Sequence, residues 1–70
     1  MIPKARRVPK MVFMEKLQDI NREDRRELER FIFFNQGMIH HFEYGHIHKH
    51  RVYKIVLKDG AIRSWNFERS

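Results

Sequence analysis

Five histidines fall within eleven residues, His40, His41, His46, His48 and His50, and they are the side chains of this 70-residue chain best suited to chemistry. Imidazole is the one ordinary side chain that changes charge near neutral pH, and it can act as general base, general acid or metal ligand. In an extended segment His46, His48 and His50 alternate and project from one face, so two of them could share a Zn²⁺ or Ni²⁺ ion with His40, His41 or Glu43 beside them. No second carboxylate lies near in sequence, and a histidine-rich exposed segment is more often a solvated surface, which is the reading we prefer. We therefore assign no metal and no cofactor from the sequence. The adjacent pair His40–His41 suits a different reaction: a small ribonuclease needs only a base, an acid and a cation such as Arg51, Lys54 or Arg63 to steady the phosphorane. Other catalytic chemistry has little material. Cysteine and threonine are absent, the only serines are Ser64 and Ser70, and no glycine-rich phosphate loop occurs. No catalytic residue is assigned, and the expectation is a protein that is not an enzyme.

Charge points more strongly to a function. Fifteen Lys and Arg against nine Asp and Glu leave a formal +6, which favours polyanionic partners because each phosphate neutralised releases condensed counterions. Lys4, Arg6, Arg7 and Lys10 fall within the first ten residues without an acid, and Arg51, Lys54, Lys58 and Arg63 interleave with Tyr53, Trp65 and Phe67 in the last third. These eight cations are the expected phosphate contacts of a nucleic-acid-binding protein, RNA or DNA, with exposed rings available to stack on bases. Protonation of the histidines would add up to five charges to the formal +6, so polyanion binding is expected to strengthen as pH falls. The leading expectation is a small basic regulatory or accessory protein that binds nucleic acid. Two alternatives stay open: a protein-interaction module or inhibitor that docks on a larger nucleic-acid-handling partner, and the histidine-dependent ribonuclease.

Length and patterning say what must position these residues. A chain this short makes one domain with a marginal core, and self-association as a homodimer would be one source of support. Without cysteine, neither disulfides nor a Cys-type zinc site can supply it. No run approaches the ~20 apolar residues of a membrane span, nor is there a secretory signal, and a cytoplasmic location is expected.

Residues 1–10, punctuated by Pro3 and Pro9, read as a flexible basic arm outside a domain over 11–70. Phe13, Leu17 and Ile20 at i, i+4 and i+7 predict a short helix. A longer helix over 21–36 follows, with Asn21 as N-cap, Glu23 and Asp24 in the first turn and Gly37 as terminator. Its last turns, Leu28, Phe31, Ile32, Phe33 and Phe34, are apolar almost all round and are expected to plug the core. Residues 38–50 read as a strand kinked or bulged at Gly45. A hairpin then turns at Lys58–Asp59–Gly60, where glycine supplies the positive φ. A two-residue loop would pair Leu57 with Ile62. A three-residue loop instead places Tyr53, Ile55 and Leu57 on one face with Ala61, Arg63 and Trp65, and we prefer it because it gathers more apolar surface. Trp65 is expected in the core. The predicted fold is α+β, with one or two N-terminal helices followed by a three-stranded antiparallel meander.

Overall fold

The computed structural model describes residues 3–68. Along the chain run β1 (Arg6–Val8), α1 (Lys10–Lys16), a 3₁₀ turn (Leu17–Asp19), α2 (Arg22–Phe34), a second 3₁₀ turn (Gln36–Met38), β2 (Ile39–Ile47), β3 (His50–Leu57) and β4 (Ile62–Glu68). The strands form one antiparallel sheet in the order β1-β2-β3-β4, and the fold is α+β. The expected meander is present as β2-β3-β4. A fourth strand comes from the segment read as a free arm: Arg6 pairs with Tyr44, Arg7 with Glu43 and Val8 with Phe42. The prolines explain why this strand is short, since neither can donate to the ladder. Residues 1–2 of the expected arm and 69–70 of the expected domain lie outside the described residues.

Both helices pack on one face of the sheet. Phe13 and Leu17 from the first helical segment and Leu28 and Ile32 from α2 meet Phe42, Tyr53, Ile55 and Trp65. These pairs recur at i, i+4, the spacing that keeps side chains on one helical stripe. Phe13 stands at the centre, its ring 4.7 Å from that of Phe42 and 5.5 Å, edge-on, from that of Tyr53. Tyr53 brings a polar atom into this core, and its hydroxyl donates to the Lys16 carbonyl at 2.5 Å. That carbonyl closes α1, where intrahelical donors run out. Trp65 is buried as expected, and its Nε1–H donates to Glu27 Oε2 at 2.7 Å.

Asn21 caps α2 as its sequence position suggests: its Oδ1 accepts from the Asp24 N–H at 2.8 Å, and its Nδ2 donates to the Asp24 carboxylate at 2.7 Å. The other end differs from expectation. Asn35, not Gly37, closes the helix, with its backbone N–H and its Nδ2 both donating to the Phe31 carbonyl. Phe33 and Phe34 do not plug the core; they are 67% and 77% exposed and pack edge to face on each other. The cause is geometric. Steps of about 100° per residue turn positions 33 and 34 away from the Leu28–Ile32 stripe, and no further layer lies on that side among the described residues.

The β3–β4 register follows the three-residue loop: Tyr53 faces Trp65, Ile55 faces Arg63, and Leu57 N–H donates to the Ala61 carbonyl at 2.8 Å. Gly60, at φ +93°, makes the turn possible. The bulge of β2, by contrast, is not at Gly45. It falls between Ile39, paired with Leu57, and His41, paired with Val56, which leaves His40 as the extra residue. Gly45 serves another purpose. A Cβ there would lie 2.5 Å from the Lys4 carbonyl oxygen and 3.0 Å from Ala5 Cα, so glycine is what lets the N-terminal backbone cross so close. No helix among the described residues is long and apolar enough to cross a membrane.

Candidate functional site

The bulge brings two neighbouring histidines together. In a regular strand, adjacent side chains leave on opposite faces and their rings cannot meet. An extra residue cancels that alternation locally. The His40 and His41 rings stand 5.0 Å apart with their Nδ1 atoms 2.7 Å from each other, and His41 Nε2 lies 2.7 Å from Glu43 Oε2. Glu43 is two residues along from His41 on the same face, where ordinary strand geometry keeps it within reach. The result is a hydrogen-bonded chain, Glu43–His41–His40, on the sheet face opposite the helices.

The partners determine the tautomers. An ionised carboxylate only accepts, so His41 Nε2 carries the proton and donates. Neutral His41 then offers Nδ1 as an acceptor, and the proton between the rings belongs to His40 Nδ1. Neutral His40 is thereby left with its lone pair on Nε2. The His41 and Glu43 side chains are partly buried, at 17% and 26% exposure, whereas His40 is exposed. A proton taken up at His40 Nε2 makes an imidazolium whose Nδ1–H already points at an acceptor backed by a carboxylate.

His40 and His41 line a groove of about 560 Å³ together with Arg7, Pro9, Lys10 and Gln36. No acidic residue lines it. Arg7 arrives because β1 pairs with β2 directly across from Glu43, and Lys10 because Pro9 turns the chain from β1 into α1.

The eight cations expected to contact phosphates do not form one surface. Arg7 and Lys54 are the two cross-strand neighbours of Glu43 and share the open face. Lys10 joins Arg7 at the groove. Lys58 lies in the β3–β4 turn, its backbone N–H donating to the Met38 carbonyl at 2.8 Å. Lys4 passes over Gly45 at the far end of β2. Arg6 and Arg63 sit on the helix side of the two edge strands, where the Arg63 guanidinium lies 5.6 Å from the Phe31 ring centre and 5.5 Å from that of Trp65. Arg51 is buried at 8% exposure, and its Nε has no hydrogen-bond partner among the described residues. Its charge acts inward, on the Tyr44 and Tyr53 phenols. Burial pushes both phenols above the ordinary tyrosine range, and Arg51 opposes that shift.

His46, His48 and His50 do not project from one face. The chain reverses at His48–Lys49, with His48 at φ 53°, and His46 Nε2–H donates to the His48 carbonyl at 2.6 Å. His50 stands on the neighbouring strand, 3.8 Å from the Glu68 carboxylate. Among the described residues no three His, Cys, Asp or Glu side chains are grouped as metal ligands.

Comparison with protein-family models, with curated proteins and with solved structures gives no match.

Proposed function

We propose that this protein binds a nucleic-acid strand in the groove between β1, the start of α1 and the bulge of β2. The observation that carries this reading is the groove's lining: Arg7 and Lys10 supply positive charge, His40 and His41 stand beside them, and no acidic residue is among the residues that line it. Arg7 and Lys10 contact phosphates there, and Lys54 and Lys58 extend the track across the open face and its turn. The groove is lined also by Val8, Ile39 and Phe42, apolar surface against which a sugar or base can rest.

Four phosphate contacts to a single strand would give a slope of log affinity on log salt of about −3, so a rise from about 50 to about 200 mM salt should weaken binding roughly 50-fold. Fluorescence anisotropy with labelled single-stranded RNA, duplex RNA and duplex DNA tests this. Arg7→Ala and Lys10→Ala should each weaken binding and reduce the slope by about 0.7. Binding that ignores salt, or no binding at the lower concentration, refutes the reading.

The exposed Phe33–Phe34 pair favours a second reading, a protein-docking surface. Loss of partner capture in Phe33→Ser with salt-insensitive affinity would identify it.

A further inference from the structure

We infer that the Glu43–His41–His40 chain makes this protein a ribonuclease whose general base is His40 Nε2. The inference rests on the proposed binding of nucleic acid in the same groove, and it commits that ligand to RNA. The tautomers imposed by Glu43 leave His40 Nε2 as the one unprotonated imidazole nitrogen of the chain that is not used in a hydrogen bond to another member. It belongs to an exposed side chain lining the groove that holds Arg7 and Lys10. A base with an acceptor behind it and cations beside it is the arrangement needed to activate a hydroxyl next to a phosphate. RNA brings that hydroxyl itself, at the 2′ position of each nucleotide.

The step balances within the groove. His40 Nε2 takes the proton of the 2′-hydroxyl, and the 2′-oxygen forms a bond to the adjacent phosphorus. The bond from phosphorus to the 5′-oxygen breaks, leaving a 2′,3′-cyclic phosphate on one fragment. A solvent water protonates the departing 5′-oxygen, giving a 5′-hydroxyl on the other fragment, and the hydroxide so formed recovers the proton from the His40 imidazolium. Arg7 and Lys10 hold the extra negative charge that gathers on the non-bridging oxygens. His40 is the catalytic residue of this scheme. His41 and Glu43 are positioning residues, because they act by fixing which nitrogen of His40 is bare.

Glu43→Lys discriminates this scheme from a merely structural cluster. An ammonium at position 43 can only donate, so His41 Nε2 must accept from it, which moves the His41 proton to Nδ1 and reverses every bond along the chain. His40 then accepts at Nδ1 and carries its proton on Nε2, where it can no longer act as a base. The turnover rate should fall without loss of RNA affinity, whereas Glu43→Gln, whose amide oxygen still accepts from His41 Nε2–H, should recover much of the rate.

The experiment uses the full chain and a 5′-labelled single-stranded RNA, with DNA of the same sequence as control, and scores binding by anisotropy and product ends by cyclic-phosphate analysis. The expected result is RNA cleavage to cyclic-phosphate ends, a fall of about 10²- to 10⁴-fold in His40→Ala and Glu43→Lys, RNA affinity no more than about threefold weaker in either, much of the rate recovered in Glu43→Gln, and partial recovery of His40→Ala by added imidazole. DNA should remain intact. RNA bound but uncut by the wild type, or cut equally by His40→Ala purified in the same way, overturns the inference and leaves the binding proposal standing. Cut DNA overturns the 2′-hydroxyl step. A wild type that binds no RNA overturns the binding proposal itself.

Discussion

Replacing Gly45 by alanine should loosen β1, and with it the arginine that β1 contributes to the groove. The added Cβ would stand 2.5 Å from the Lys4 carbonyl oxygen, 2.7 Å from the Lys4 carbonyl carbon and 3.0 Å from Ala5 Cα. All three contacts are with backbone, so no side-chain rotation relieves them. Either β2 bends away or the segment over residues 4–5 lifts. Overpacking of this kind costs about 1–3 kcal/mol. A 70-residue domain holds about 3.5–10 kcal/mol in total, so the loss is a substantial share. At about 4–8 °C for each kcal/mol in a domain of this size, the melting temperature should drop by at least about 4 °C. Urea denaturation followed through Trp65, the only tryptophan and a buried one, measures the change. Amide exchange shows where it falls: faster exchange should concentrate in the pairs Arg6–Tyr44, Arg7–Glu43 and Val8–Phe42, with the β3–β4 ladder unaffected. A Gly45→Ala protein within about 0.5 kcal/mol of wild type, with β1 still protected, would refute the close approach.

Tyr53→Phe removes the hydroxyl that donates to the Lys16 carbonyl and should cost about 1 kcal/mol at neutral pH. The folded Tyr53 phenol holds its proton well above the ordinary value of 10.0, chiefly because it is buried, whereas the unfolded phenol releases it near that value. The stabilisation is therefore fully present below about pH 10 and is lost as pH rises through the folded value. Wild-type stability should fall in that alkaline window, and the Tyr53→Phe denaturation curve should fall less steeply. Glu27→Ala leaves the Trp65 Nε1–H without its acceptor and should cost about 1 kcal/mol by urea titration, most of which Glu27→Gln restores because an amide oxygen also accepts. Phe33→Ser with Phe34→Ser should change stability by no more than about 0.5 kcal/mol, against about 3–5 kcal/mol for Phe13→Ala at the fully buried centre of the core. A concentration-dependent loss in the double variant would instead show the phenylalanine pair buried between two copies.

What could be read in advance was decided by neighbours along the chain. Asn21 followed by Glu23 and Asp24 announces a helix start, and Asp59–Gly60 between two β-branched runs announces a turn whose register follows from matching apolar faces. Trp65 is predicted inward because large rings are seldom left exposed. The features that escaped are decided by partners distant in sequence. Arg6–Arg7–Val8 has no strand signal of its own and becomes β1 only because the edge of β2 lies open to it, some thirty-five residues later. Gly45 looks like a kink in the strand until Lys4 is placed above it. Phe33 and Phe34 belong to an apolar run, and only the count of layers around α2 tells that nothing covers them. The alternation of His46, His48 and His50 is real in the sequence but presumes an extended chain, and the reversal at His48–Lys49 breaks it.

The histidine chain was half legible, and the missing half is the contact between the His40 and His41 rings. Types and proximity of His40, His41 and Glu43 are plain in the sequence, yet strict alternation sends His40 to the opposite face from the other two. One unpaired residue reverses that outcome. With the bulge, His40 reaches the His41 ring, and Ile39 also joins the core with Phe42 and Tyr44, so the same irregularity completes the apolar face and assembles the polar cluster. Deleting the extra residue would therefore restore a regular ladder and separate the two imidazole rings. β1 contributes the remaining part: it carries Arg7 to the position across from Glu43 and, through Pro9, delivers Lys10 to the groove. The segment predicted as an independent electrostatic arm thus has charges set by sheet pairing, which places Arg7 and Lys10 in the same groove as His40 and His41.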